Sequence, residues 1–190
     1  SKSRNGGVKY TDYALRQFFL MAEKQTWFKN TIFVIVADHC ASSSGKTELP
    51  LEKYRIPAFI YAPGFVGAKH IPTLMSQIDL MPTLFGLLHF DYSSKFYGQD
   101  IFKEDYNPRA FVATYQDLGL IKDNVLTILS PVKQVKQYSL KQKSCTKIKP
   151  EYEIHYIEKP LRELRQDLID ETVAFYQTTA YLLQNKKLNK

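Results

Sequence analysis

Thr31 to Pro57 reads TIFVIVADHCASSSGKTELPLEKYRIP. Six apolar residues, Ile32 to Ala37, run into Asp38 and His39, then into a loop of small residues ending Gly45-Lys46-Thr47. An apolar run of this length, rich in β-branched residues, suits a strand buried on both faces, as in a parallel sheet covered by helices. Two chemistries can follow such a strand. A phosphate-binding loop would be built around Lys46 and Thr47, and a metal site around Asp38 and His39.

The phosphate loop needs Gly, four residues, then Gly-Lys-Ser/Thr. Gly45, Lys46 and Thr47 fit, but the first glycine position holds Cys40. The loop must also open a helix whose N-terminal amides face the phosphates. Here ELPLEKYRIP follows, with Pro57 stopping any helix after about two turns and no apolar stripe to support one. The metal reading needs less. Ligands of open α/β sheets gather beyond the carboxyl ends of strands, where Asp38 and His39 fall. A carboxylate oxygen and an imidazole nitrogen suit Zn²⁺ or Mn²⁺. An Asp-His pair can also simply cap a loop, and two ligands do not complete a site.

Outward from this stretch, Tyr10 to Gln25 predicts an amphipathic helix, capped by Thr11 or Asp12, with Leu15, Phe18, Phe19 and Ala22 on one face. IPAFIYAPG (Ile56 to Gly64) predicts a second strand ending in a Pro-Gly turn. In SQIDLMPTLFGLL, Asp79 is the preferred N-cap, because Pro82 then sits at the third helical position, where no donor is required. RAFVATY, GLIKDNVLTILS and VKQVKQYSL predict an antiparallel meander from Arg109, with Asp-Leu-Gly and Lys-Asp-Asn as turns. Pro160 is expected to open a long helix with Leu161, Leu164, Leu168, Val173, Tyr176, Ala180 and Leu183 along one stripe, and Lys186 and Lys187 at its negative end. The expected class is α/β: a largely parallel sheet flanked by helices, then an antiparallel β region and a closing helix. Residues 1–104 and 105–190 are the expected divisions.

The 190 residues suffice for a sizeable core, and 44% apolar with 24% charged residues is a globular composition. A net charge of +7 favours anionic partners without choosing among them. No apolar run approaches the ~18 residues of a membrane span. The start, SKSRNGG, lacks the apolar core of a secretory signal and reads as a loop or a cut end. Cys40 and Cys145 form neither a metal motif nor a disulfide framework. Lys133 to Lys149 holds six lysines and no acid, which reads as a solvated hairpin or as a contact for anionic lipid headgroups. Nucleic acid is disfavoured: Tyr138 is the only aromatic in that run, and no recognition motif is present. His70, His89 and His155 are scattered and read as structural or solvent-facing.

YTDYALRQFF, TIFVIVADH, GKTELPLEKYRIPAFIYAPG and SQIDLMPTLFGLL, in this order and spacing, resemble the alkaline phosphatase–sulfatase superfamily. The resemblance is greatest to its membrane-anchored phosphoglycerol transferases, the lipoteichoic acid synthase-like group. It covers about residues 8 to 102 and extends more loosely to the meander and last helix. It implies that Asp38 and His39 ligate a divalent metal, Mn²⁺ or Zn²⁺ with Mg²⁺ as a third candidate, and that Lys46 contacts the substrate anion. The implied substrate is a phosphodiester of the glycerophospholipid type. A sulfatase or phosphodiesterase of the same superfamily, or a non-catalytic binding module, is the alternative. The resemblance places the nucleophilic Thr before the first of these blocks, so no catalytic nucleophile is assigned here. The chain then reads as the C-terminal half of a catalytic domain, inactive alone and partnered by its N-terminal half. The implied location is the outer face of a bacterial cytoplasmic membrane.

Overall fold

The computed structural model describes residues 4–39, 49, 51–143 and 155–187. They divide into two compact units: 1–38 with 56–70, and 39–55 with 71–190. This division falls elsewhere than the 1–104 and 105–190 expected from sequence.

In the first unit, helix α1 (Arg4–Ala22) starts six residues earlier than expected and runs through Gly6 and Gly7. Thr11 does not cap it. Its hydroxyl donates to the Gly7 carbonyl at 3.2 Å, the back-bond of a residue already inside a helix. Phe19 and Ala22 turn inward, while Leu15 and Phe18 stay substantially exposed. Strand β1 (Phe33–Val36) pairs with β2 (Ala58–Tyr61), Phe33 opposite Tyr61 and Val36 opposite Ala58. Edge-to-face contacts at 5.0 Å (Phe19–Phe33) and 5.3 Å (Phe19–Tyr61) seat the helix on this ribbon. The turn after β2 is built by Pro63 and Gly64. Phe65 N donates to Ala62 O at 3.0 Å, and Gly64 has φ +80°, the value a type II turn demands at its third residue.

The expected parallel pairing is corrected at this ribbon, because β1 and β2 run antiparallel. Parallel neighbours need a crossover, usually a helix, between them. Among the described residues between β1 and β2 only the short turn Leu51–Lys53 is helical.

The larger unit is a five-stranded antiparallel sheet in meander order, as the alternation from Arg109 predicts. Its strands are β3 (Arg109–Ala113), β4 (Leu118–Lys122), β5 (Val125–Ser130), β6 (Gln134–Lys143) and β7 (His155–Pro160). Asp123 and Asn124 turn β4 into β5 with φ of 52° and 57°, the paired left-handed residues of a type I′ turn. The expected Asp-Leu-Gly turn is displaced, since Leu118 and Gly119 already belong to β4. The chain reverses instead at Thr114–Asp117, where the Thr114 hydroxyl accepts from Gln116 N and Asp117 N. Leu49, Leu51, Val112, Leu126, Ile128 and Leu140 form the core cluster.

Pro160 does not open a helix. It ends β7 opposite Tyr138, on an edge strand where its missing N–H costs no ladder bond. The closing helix α2 (Gln166–Gln184) starts six residues later, and a shorter helix described below precedes the sheet. The buried Gln137 of β6 pins this start: its Oε1 accepts from Arg165 N at 2.6 Å and its Nε2 donates to Arg165 O at 3.0 Å. Leu168, Ile169 and Thr172 are buried, and the Tyr176 hydroxyl reaches the carbonyls of Val112 and Gly119, each at 3.1 Å. The inward stripe therefore keeps Leu168, Val173 and Tyr176, while Leu164 and Leu183 are exposed. Class and closing elements agree with the sequence reading, a mixed α/β chain with a C-terminal antiparallel sheet and a final helix.

Candidate functional site

Asp38 and His39 are consecutive residues just past β1, both exposed. The β1–β2 ladder extends one step beyond the strand, with Ala37 N donating to Pro57 O at 3.3 Å. The backbone that presents Asp38 is thereby fixed by the ribbon. The two residues are adjacent in the chain, so their Cα atoms lie ~3.8 Å apart. The donor set fits a borderline divalent metal, one hard oxygen and one nitrogen at the carboxyl end of a strand. Among the described residues no group of three or more His, Cys, Asp or Glu is placed to hold a metal. Lys46, Cys40, Cys145 and the hydroxyls of Ser42, Ser43, Ser44 and Thr47 lie outside the described residues.

The three remaining histidines do not join the pair in any described cluster. His70 is exposed, and His155 opens β7 opposite Lys143. His89 has a backbone task. The helix Leu80–Leu87, here α0 because it precedes the meander, ends with His89 at φ 53°. His89 N donates to Gly86 O and Phe90 N to Phe85 O, each at 3.0 Å, the paired bonds of a Schellman cap.

Asp79, expected to cap α0, occupies the cap position in the backbone, but its side chain makes no cap hydrogen bond. Residues Gln77–Asp79 form a tight turn that runs into the helix, and Ser76 caps that turn in a capping box in which the Asp79 carboxylate accepts from Ser76 N. It is completely buried. Oδ1 accepts from Gln99 N at 2.8 Å and Arg109 Nη2 at 3.1 Å; Oδ2 accepts from Ser76 N at 2.9 Å and lies 3.3 Å from Tyr106 Oη, whose one O–H also faces the nearer Leu74 carbonyl at 2.9 Å. Arg109, 2% exposed, also donates to Tyr97 O at 2.9 Å. Burial first, and then the Asp79 charge, push the Tyr106 phenol well above its usual range. The network binds the SQIDLMPT segment to the first strand of the meander. From the sequence alone Asp79 reads as a cap. Nothing in the order of residues pairs it with Arg109, thirty positions away.

Residues 2–90 match the family model described as Sulfatase. The chain is 28% identical over 120 residues to lipoteichoic acid synthase-like YvgJ of Bacillus subtilis (strain 168), covering 54% of this chain and 19% of that protein. A crystal structure of a protein in the alkaline phosphatase superfamily from Vibrio parahaemolyticus superposes with a TM-score of 0.83 at 29% identity, covering 98% of this chain and 43% of that one. The chain thus spans about a fifth of the curated relative and less than half of the solved structure. Asp38 and His39 lie inside the matched block, and the fold agreement extends over the meander and closing helix.

Proposed function

From a chain that has the alkaline phosphatase superfamily fold and is similar to a lipoteichoic acid synthase-like protein, we propose that it forms the metal-bearing part of a phosphoglycerol transferase-like domain. The observation that carries this reading is the Asp38–His39 pair at the carboxyl end of β1, inside the block that matches the Sulfatase model. Asp38 and His39 would hold the ion, Mn²⁺ or Zn²⁺ in preference to Mg²⁺, because an imidazole is a poor ligand for the harder cation. When bound, the metal neutralises charge that builds on a phosphoryl group in transfer. Lys46 would meet the substrate's anionic oxygens, and the net charge of +7 favours an anionic substrate at longer range. The nucleophile belongs to a segment outside this chain, consistent with its covering 43% of the solved relative. The substrate class is a phosphodiester of glycerophospholipid type, handled at the outer face of a cytoplasmic membrane. Among the described residues no helix is long and apolar enough to cross one.

A second reading, hydrolysis of a sulfate ester, is favoured by the description of the matched family model. One assay separates the two. Bis(p-nitrophenyl) phosphate and p-nitrophenyl sulfate are offered, with Mn²⁺, to the chain alone and to the chain joined to the nucleophile-bearing segment of its relatives. The joined protein is expected to turn over the diester, with about 10²–10³-fold loss in Asp38→Ala or His39→Ala. Turnover of the sulfate alone supports the second reading. Multiple turnovers by the chain alone contradict the division of labour.

A further inference from the structure

Residues 89–97 read HFDYSSKFY, four aromatics and a lysine in nine positions. The left-handed His89 folds the chain back after α0, so that Phe90 lies 5.7 Å from the Phe85 ring. Tyr92 meets Phe85 edge-on at 5.0 Å, and Phe96 lies 6.1 Å from Phe85 and 6.2 Å from Tyr92. Rings in mutual contact are ordinarily a core, but Phe90, Tyr92 and Phe96 are 55%, 45% and 50% exposed.

Phe96 also belongs to a second feature, an open, apolar-walled cavity of about 440 Å³ lined by Lys95, Phe96, Tyr97, Leu182 and Lys187. Lys95 Nζ donates to the Lys187 carbonyl at 2.9 Å. Lys187 Nζ donates to Tyr181 Oη at 2.9 Å and lies 4.7 Å from that ring's centre. Two ammonium groups are thus tied to the rim of an apolar space of the size that takes small ligands. The contributing segments are cationic on balance: Asp91 is the one acid in 89–97, against Lys95, and the end of α2 adds Lys186 and Lys187.

We propose that this face binds anionic lipid at a membrane surface. The three half-exposed rings enter the boundary between headgroups and acyl chains, the cavity takes part of one acyl chain, and Lys95 and Lys187 meet the headgroup phosphate. Aromatic rings beside lysines have this placement at bilayer interfaces, and charge complementarity selects the anionic leaflet. A small hydrophilic anion would leave the apolar walls unused. The site is distinct from the lysine-rich hairpin, whose exposed Lys133, Lys136 and Lys141 have only the half-buried Tyr138 as an aromatic neighbour in sequence. It stands independently of the Asp38–His39 reading.

The test is flotation of the chain with vesicles of phosphatidylcholine and with an equimolar mixture of phosphatidylcholine and phosphatidylglycerol. Circular dichroism confirms that each variant is folded. Binding to the mixed vesicles is expected to fall about tenfold in Phe90→Ser/Phe96→Ser through lost apolar burial. It is expected to fall about fivefold for each lysine removed in Lys95→Gln/Lys187→Gln. Lys133→Gln/Lys136→Gln/Lys141→Gln should lose less than the Lys95 and Lys187 pair. Wild-type binding by the aromatic variant, or loss confined to the hairpin variant, overturns the proposal. So does a dimer in sedimentation that the aromatic variant dissociates while vesicles bind neither form, which would assign the face to a second copy.

Discussion

A carboxylate with no exposure is tolerated where its lone pairs find donors, and Asp79 finds three, Gln99 N, Arg109 Nη2 and Ser76 N, with the Tyr106 hydroxyl shared between it and the Leu74 carbonyl. Removing one partner of a buried pair leaves the other charge uncompensated. Asp79→Ala is therefore expected to cost about 3–5 kcal/mol in urea unfolding, and a loss below 1 kcal/mol would contradict the role assigned to the network. Arg165 and Asp167 form a contrasting, solvent-exposed pair. Arg165 Nη2 and Nε donate to Asp167 at 2.5 and 2.8 Å, and that hydrogen bonding holds the carboxyl down at about 2, below its ordinary 3.8. A depressed folded value contributes stability above the ordinary value and loses it as pH falls through the folded one, so the window is about pH 4 to 2. Carbon-detected NMR should show Asp167 titrating near 2, and Arg165→Gln should return it toward 3.8. At this scale the sequence marks residues by local chemistry. Asp38 and His39 are visible because they follow an apolar run, whereas the Asp79–Arg109 pairing depends on a tertiary approach that no spacing encodes.

Turns decide how far the elements could be read. Lys-Asp-Asn is legible because Asp and Asn tolerate the left-handed φ that a type I′ turn requires. The β5–β6 connection hides its geometry, since Val132 and Lys133 adopt φ of 56° and 58° without any glycine or asparagine to announce it. A β-branched residue in that region is strained, and Val132 is 86% exposed, so packing does not compensate. Val132→Gly is expected to stabilise the chain by about 1 kcal/mol, read as a rise in thermal midpoint; a fall would show that the tip is not strained. Pro160 misleads for the opposite reason. Proline is at home both at a helix start and at the end of an edge strand, and only the pairing with Tyr138 distinguishes them. Parallel pairing for β1 was inferred from its apolar continuity, which reports burial on two faces and not the direction of a neighbour.

Across the whole molecule, the meander was legible in its alternation and the resemblance to the alkaline phosphatase superfamily in four ordered blocks, and the structural agreement over 98% of the chain supports the fold that both imply. The proposed metal site was legible only as two adjacent donors. Among the described residues no group of three or more His, Cys, Asp or Glu is placed to hold a metal, and the chain spans 19% of one relative and 43% of another. With only two donors proposed in this chain, its affinity for a divalent ion is expected to be modest. The most direct measurement is calorimetric titration of Mn²⁺ and Zn²⁺ into the chain and into its Asp38→Ala/His39→Ala variant. Weak binding of one ion per chain, lost in the variant, is expected. Binding that survives both substitutions unchanged would contradict the assignment of Asp38 and His39 as its ligands.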